Sequence, residues 1–160
     1  MTHAPAADLL REAIAASESI LGSLERLAAD RRLGLPVTAQ SLAALDEDDA
    51  VRIQGFLRLF EQLHQLVERK LFRGLLLLSG EDVEALSVRN MIDRLEKLGA
   101  TGNAEVWRMI GKVRNNLAHD YPANIDLHTE RVNEAFAALP ALGDAARTAI
   151  AYIQRQRLLD

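Results

Sequence analysis

An antiparallel bundle of about five helices is the fold that this sequence predicts, on three observations. Leu and Ala dominate an apolar fraction of 49%, while aromatic residues supply only 4%. Half-buried strands draw instead on β-branched and aromatic side chains. Apolar residues recur at helical spacing in one stretch after another. No strand hairpin, internal repeat or low-complexity tract breaks the pattern. With 160 residues the chain suffices for one well-buried core and is short for two.

The first helix is expected from about Asp8 to Asp30, with Leu10, Ile14, Ser17, Leu21 and Leu24 as one stripe. The segment Leu33-Gly34-Leu35-Pro36-Val37-Thr38 reads as a loop leading into a short turn at Ala39 to Leu45. The acidic cluster Asp46-Glu47-Asp48-Asp49 suits the start of a long second helix, where free backbone N–H groups favour negative charge. Its inner face is Ile53, Phe56, Phe60, Leu63 and Val67, continuing through Leu71 to Leu78, and Ser79-Gly80 ends it. A third helix turns Val88, Met91, Ile92, Leu95 and Leu98 to one side and stops at Gly99. Asn103 caps a fourth helix with the stripe Val106, Ile110, Val113 and Leu117. Asn124 or Asp126 caps a last helix reaching toward Tyr152 and Leu158, with Pro140 and Gly143 expected to kink or interrupt it.

Composition narrows the function. A net charge of −4 provides no general cationic field for nucleic acid, so any such contact has to be a focused local site. With no cysteine there are no disulfides, thiolate metal sites or cysteine nucleophiles. The stretch Met1 to Glu12 lacks a basic n-region, which predicts no signal peptide. The run Leu75 to Leu78 falls far short of the roughly 20 residues of a membrane span. A cytoplasmic protein without membrane contact is the expectation.

The segment Arg114-Asn115-Asn116-Leu117-Ala118-His119-Asp120-Tyr121 is the one stretch dense in chemistry. It combines a permanent cation, an amide, a group that moves protons near pH 7 and a phenol. Arg114 and His119 lie about 140° apart on an unbroken helix and would not share one phosphate. Termination near Ala118, favoured by Asp120 and Pro122, would let His119 swing back. The competing reading is a helix C-terminus carrying Arg and His because cations suit that end of the dipole.

Other patterns are weaker. Glu61-Gln62-Leu63-His64 matches a Glu-x-x-His metal motif, but a di-metal bundle needs a second such pair and further inward carboxylates. His3, His119 and His128 do not complete it, so Glu61 and His64 are expected to be solvated and no metal is expected. Arg69, Lys70 and Arg73 read as a solvated face, whereas Arg108 and Lys112 share the motif helix and are candidate contacts to an RNA backbone. Trp107 is expected in the core or at a helix–helix interface. No serine lies in a nucleophile elbow and no Gly-rich phosphate loop follows a strand.

Arg114-x4-His119-x-Tyr121, with Asn115 after the arginine, resembles the signature of HEPN-domain proteins and within them the HepT-like ribonuclease toxins. The acidic start of the second helix and the run Arg94-Leu95-Glu96-Lys97-Leu98-Gly99 fit the same family. The resemblance covers about residues 46 to 158. It implies a HEPN-like domain at 46–160, with residues 1–45 as a helix and loop packed on it. That N-terminal region is longer than in compact members, and the chain is acidic.

The resemblance further implies a homodimer whose two motifs face one cleft and cleave RNA through its own 2′-hydroxyl, with no metal and no cofactor. His119 would transfer the proton. Arg114 would stabilise charge on the phosphate oxygens, and Asn115 would bind phosphate or orient the imidazole. It also implies a nucleotidyltransferase antitoxin as partner, which would neutralise the toxin by transferring AMP to Tyr121. The alternative is a non-catalytic subunit that presents substrate to such a transferase or regulates it.

Overall fold

The computed structural model describes residues 3–160; positions 1 and 2 of the expected N-terminal unit lie outside them. Helix α1 (His3–Ala29) buries Leu10, Ala13, Ser17, Leu21 and Leu24. Ala13 takes the inner position expected for its neighbour Ile14, which is half-buried. The following loop is pinned to the last helix by a double hydrogen bond. The Val37 amide donates to Asn133 Oδ1 at 2.8 Å, and Asn133 Nδ2 donates to the Val37 carbonyl at 2.7 Å.

The short helix α2 (Ala39–Ala43) is closed by a reciprocal cap between Thr38 and Ser41. Asp46 caps α3 (Glu47–Leu66), accepting from the Asp49 amide at 2.9 Å. Arg52 on its first turns reaches back to Asp30 at 2.6 Å, and this hydrogen bond holds the Asp30 carboxyl below its ordinary range. Ile53, Phe56, Phe60 and Leu63 are fully buried, as their spacing predicts.

The chain then widens into one π-helical segment, Val67–Phe72, before α4 (Arg73–Leu78) completes the long rod. Ser79 and Gly80 end it, with Gly80 at φ +86°. After a 3₁₀ turn at Val83–Ala85, Ser87 caps α5 (Val88–Leu98). Met91, Ile92 and Leu95 face inward, but Val88 is 51% exposed, outside the stripe assigned to it. Gly99 adopts a left-handed φ of +76°, and the Ala100 amide closes onto the Leu95 carbonyl at 2.9 Å. That geometry favours glycine.

Asn103 caps α6 (Ala104–Leu117) and Asn124 caps α7 (Ile125–Arg155). Asp126 sits inside the first turn of α7 and is not the cap. The expected interruption near Pro140 does not occur, since α7 runs unbroken for 31 residues. Proline forfeits one helical hydrogen bond and crowds the carbonyl a turn earlier. Against that loss, Ala135, Ala138, Leu139, Leu142, Ala146 and Ala149 are all buried on both sides of it. Gly143 serves close packing: a Cβ there would stand 3.3 Å from Leu21 of α1.

The described residues form helices joined by turns, with no strand. Helix α1 packs on α3, α4 and α7, and α6 packs between α3 and α7. None of these helices is long and apolar enough to cross a membrane.

Candidate functional site at the end of α6

The inner face of α6 is Ala104, Trp107, Ile110 and Leu117, with Val113 half-buried. Val106, expected inside, is 40% exposed, and Trp107 takes the core position instead. Two adjacent apolar residues give two possible phases, and the larger ring buries more surface. Trp107 is thus a core residue of its own chain, and Val106 and Met109 are the apolar side chains that α6 leaves outward, at 40% and 53% exposure.

Trp107 organises a polar cluster beneath the motif. The His64 ring stacks on it at 4.6 Å between centroids with a 9° tilt, and Phe72 meets its edge at 4.9 Å. Its indole N–H donates to Glu68 Oε2 at 2.9 Å. Glu68 is carried by the π-helical segment, a type of irregularity frequent at functional sites. The expectation of a solvated Glu-x-x-His pair therefore fails for His64, which is 4% exposed. Its Nε2 has no hydrogen-bond partner and stands 3.9 Å from Glu68 Oε2. Gly111 of α6 lies beside that nitrogen, and a Cβ on it would make an ordinary contact there at 3.6 Å. Trp107, Gly111 and Arg114 fall within about 60° of helix arc, so Arg114 extends the face that covers His64. Among the described residues no group of three or more His, Asp or Glu is arranged to hold a metal.

Burial is the main cause that holds the His64 pKa down at about 4, with the Glu68 charge opposing it and the Arg114 charge adding to it. The ring is neutral in the fold at pH 7 and binds a proton more readily in the unfolded chain, where the pKa is about 6.5. Stability from this group is therefore complete above about pH 6.5 and is lost as pH falls toward 4. The loss should approach about 3 kcal/mol. Urea titrations of the wild type and His64→Phe across that window check it. The variant should show the flatter pH dependence, and equal slopes would contradict a neutral buried imidazole.

Helix α6 stops at Leu117, close to the termination expected near Ala118. The Ala118, His119 and Asp120 amides donate to the carbonyls three residues earlier, at 3.2, 3.0 and 3.2 Å. The end is thus a tightened turn and not an abrupt reversal. His119 and Tyr121 are exposed, Tyr121 at 61%. Pro122 follows in a reverse turn closed by the Asn124 amide on the Tyr121 carbonyl at 2.8 Å.

Arg114 is half-buried in the last turn of α6, and its Nη1 donates to Asn115 Oδ1 at 3.4 Å. No hydrogen bond joins Arg114 to His119 within the chain. Asn116 turns the other way, donating to Glu134 of α7 at 3.3 Å. Arg108 is committed to Asp93 at 2.8 Å and to Glu105, while Lys112 is exposed. Five concavities of 190–510 Å³ in the bundle surface are lined by residues other than Arg114, His119 and Tyr121.

Sequence reasoning missed one pair at this corner. Asp120, between the two exposed residues, turns inward and receives His128 of α7, whose Nδ1 lies 2.8 and 3.0 Å from the carboxylate oxygens. Both side chains are largely buried, at 11% and 7% exposure. Eight residues and a turn separate them, so no helical spacing announces the contact.

The fold and this corner define an all-α bundle presenting an Arg–Asn…His–x–Tyr segment at one helix end. No protein-family model, curated protein or solved structure matches the chain.

Proposed function

We propose that this chain is a metal-independent endoribonuclease toxin of the HEPN type, acting as a homodimer. The observation that carries the reading is the end of α6. It places a half-buried guanidinium in the last helical turn and an exposed imidazole and phenol on the turn beyond it. In this mechanism His119 takes the proton of an RNA 2′-hydroxyl as its oxygen attacks phosphorus. Arg114 compensates the charge gathering on the non-bridging oxygens. The 5′-oxygen leaves as a hydroxyl with a proton taken from water, the proton on His119 passes to solvent, and the product is a 2′,3′-cyclic phosphate. Asn115 orients the guanidinium that it already contacts. Lys112 remains available to an RNA backbone, whereas Arg108 is held by two carboxylates and contributes less.

A second copy supplies what one chain lacks. The motif lines none of the described concavities, and Arg114 and His119 are unjoined within a protomer. Two-fold pairing through the outward face of α6, with Val106 and Met109 at its centre, would form a cleft holding both sets. Sedimentation at micromolar concentration should show a dimer, and Met109→Glu should split it. A fully active monomer would contradict the pairing.

The unjoined Arg114 and His119 also suit the second reading, a non-catalytic subunit that serves a nucleotidyltransferase. Induced expression of the wild-type chain alone separates the two. Growth arrest with cleaved RNA supports the nuclease, and unimpaired growth with intact RNA supports the subunit.

Control of the toxin falls to Tyr121. Its phenol is exposed, and AMP transferred there from ATP by a partner antitoxin, with release of pyrophosphate, would set a phosphodiester where substrate phosphate must lie. Tyr121→Phe should keep most cleavage activity and escape neutralisation. Intact mass after co-expression with the transferase reads the outcome. An AMP-sized increase that persists in Tyr121→Phe would remove the residue from this role.

A further inference from the structure

Asp120 and His128 hold the chain where the proposed chemistry occurs, although neither belongs to the exposed set. His119 and Tyr121 face outward, and the residue between them is anchored inward by both carboxylate oxygens on one imidazole nitrogen. Backbone bonds within residues 115–124 shape the turn. Its far end is held to α7 by the Asn124 cap, whose side chain accepts from the Leu127 amide at 3.2 Å and whose carbonyl accepts from the His128 amide at 2.9 Å. Its near end is held by Asn116 to Glu134 at 3.3 Å, before the helix ends. Across residues 117–123, between those two anchors, Asp120 to His128 is the side-chain tie to the bundle. His128 itself is immobilised on the first turns of α7, a helix buried along most of its length.

We propose that His128, acting through Asp120, is a positioning residue that sets the orientation of His119 and Tyr121 against the bundle. The geometry assigns the Nδ1–H tautomer to His128, since a carboxylate only accepts. An amide N–H at that place could serve as well. The role follows from connectivity: a rotation at Asp120 moves the two outward neighbours together. One clamp would thus govern both cleavage at His119 and modification at Tyr121, and the inference rests on the reading that these two residues act on RNA and accept AMP.

The test compares His128→Ala, His128→Asn and Asp120→Ala by amide hydrogen exchange, RNA cleavage and thermal unfolding. The Asn Nδ2 stands near where Nδ1 stood, so His128→Asn keeps the tie without a titratable ring. In His128→Ala and Asp120→Ala the amides of Ala118, His119 and Asp120 should exchange about tenfold faster or more, while those of α3 stay unchanged. The rate constant kcat should fall by up to about 100-fold at nearly constant KM, as misplacement of a reacting group does. His128→Asn should recover most of both.

Unchanged exchange at residues 118–120 in the alanine variants overturns the clamp. So does a His128→Asn protein that stays folded with a protected turn but cleaves no better than His128→Ala, because the ring would then have a role of its own. If His128→Ala unfolds, Asp120→Ala against Asp120→Asn gives the same comparison. Faster exchange in the variants of a wild-type chain that cleaves no RNA would sustain the clamp and remove the nuclease reading alone.

Discussion

His119→Ala is expected to lower RNA cleavage in EDTA by about 10²–10⁴-fold, the loss that follows removal of a positioned proton-transfer group. Arg114→Ala should cost about 10²–10³-fold, through lost stabilisation of the charged phosphate in the transition state. His119 is exposed, so its variant should unfold at the wild-type temperature. Arg114→Ala carries a second signature. The Arg114 charge is one cause of the low His64 pKa, so its removal should move that pKa upward toward 6.5. A His119→Ala protein that cleaves RNA at the wild-type rate in EDTA would end the proposed mechanism.

The largest stability loss is expected from Trp107→Ala. The indole is 3% exposed, stacks on His64, meets the edge of Phe72 and satisfies Glu68. Truncating a buried tryptophan costs about 3–5 kcal/mol, which for a chain of this size lowers the melting temperature by roughly 10 °C. Trp107→Phe should recover the packing but leave Glu68 without its donor. Calorimetry of the three proteins is the check. A melting point for Trp107→Ala within about 2 °C of wild type would mean that the stack contributes little.

The ends of the helices were the most legible part of the sequence. Asn103 and Gly99 cap as expected, Asp46 of the acidic cluster caps α3, and Asn124 is the one of two candidates that caps α7, because capping is local chemistry between residues two to five apart. The buried face of α3 was equally clear, since its apolar positions carry large side chains in a single phase. On α6 the phase was ambiguous: Val106 and Trp107 are both apolar, and only the neighbouring helices decide between them.

His64 and the Asp120–His128 pair were missed for a different reason. A polar residue announces its burial only through its partner, and those partners lie on other helices or beyond a turn. His64 lies under an indole from α6, and Asp120 pairs across the α6–α7 turn. Pro140 misled because a local rule about backbone donors was outweighed by packing along a 31-residue helix. Of the candidate site, the sequence located the segment and its helix break. The relative orientation of Arg114 and His119 depends on the tightened turn, which no residue type dictates.

The π-helical segment lets the rod of α3 and α4 carry one residue more than a plain α-helix of the same reach. A π turn holds one residue more than the α turn it replaces, so the helices on either side keep a common phase despite the surplus. Phe60 and Leu63 before it and Leu75 and Leu76 after it are all fully buried. Deleting one residue within 67–72 would relax the segment to α geometry and leave those four facing inward, although removing Glu68 itself would strip the indole N–H of its acceptor. The same deletion in the middle of α6, which has no surplus to lose, would turn one half of that helix against the other by about 100°. Deletion scanning should therefore find 67–72 more forgiving of a lost residue than the plain α-helical turns of α6.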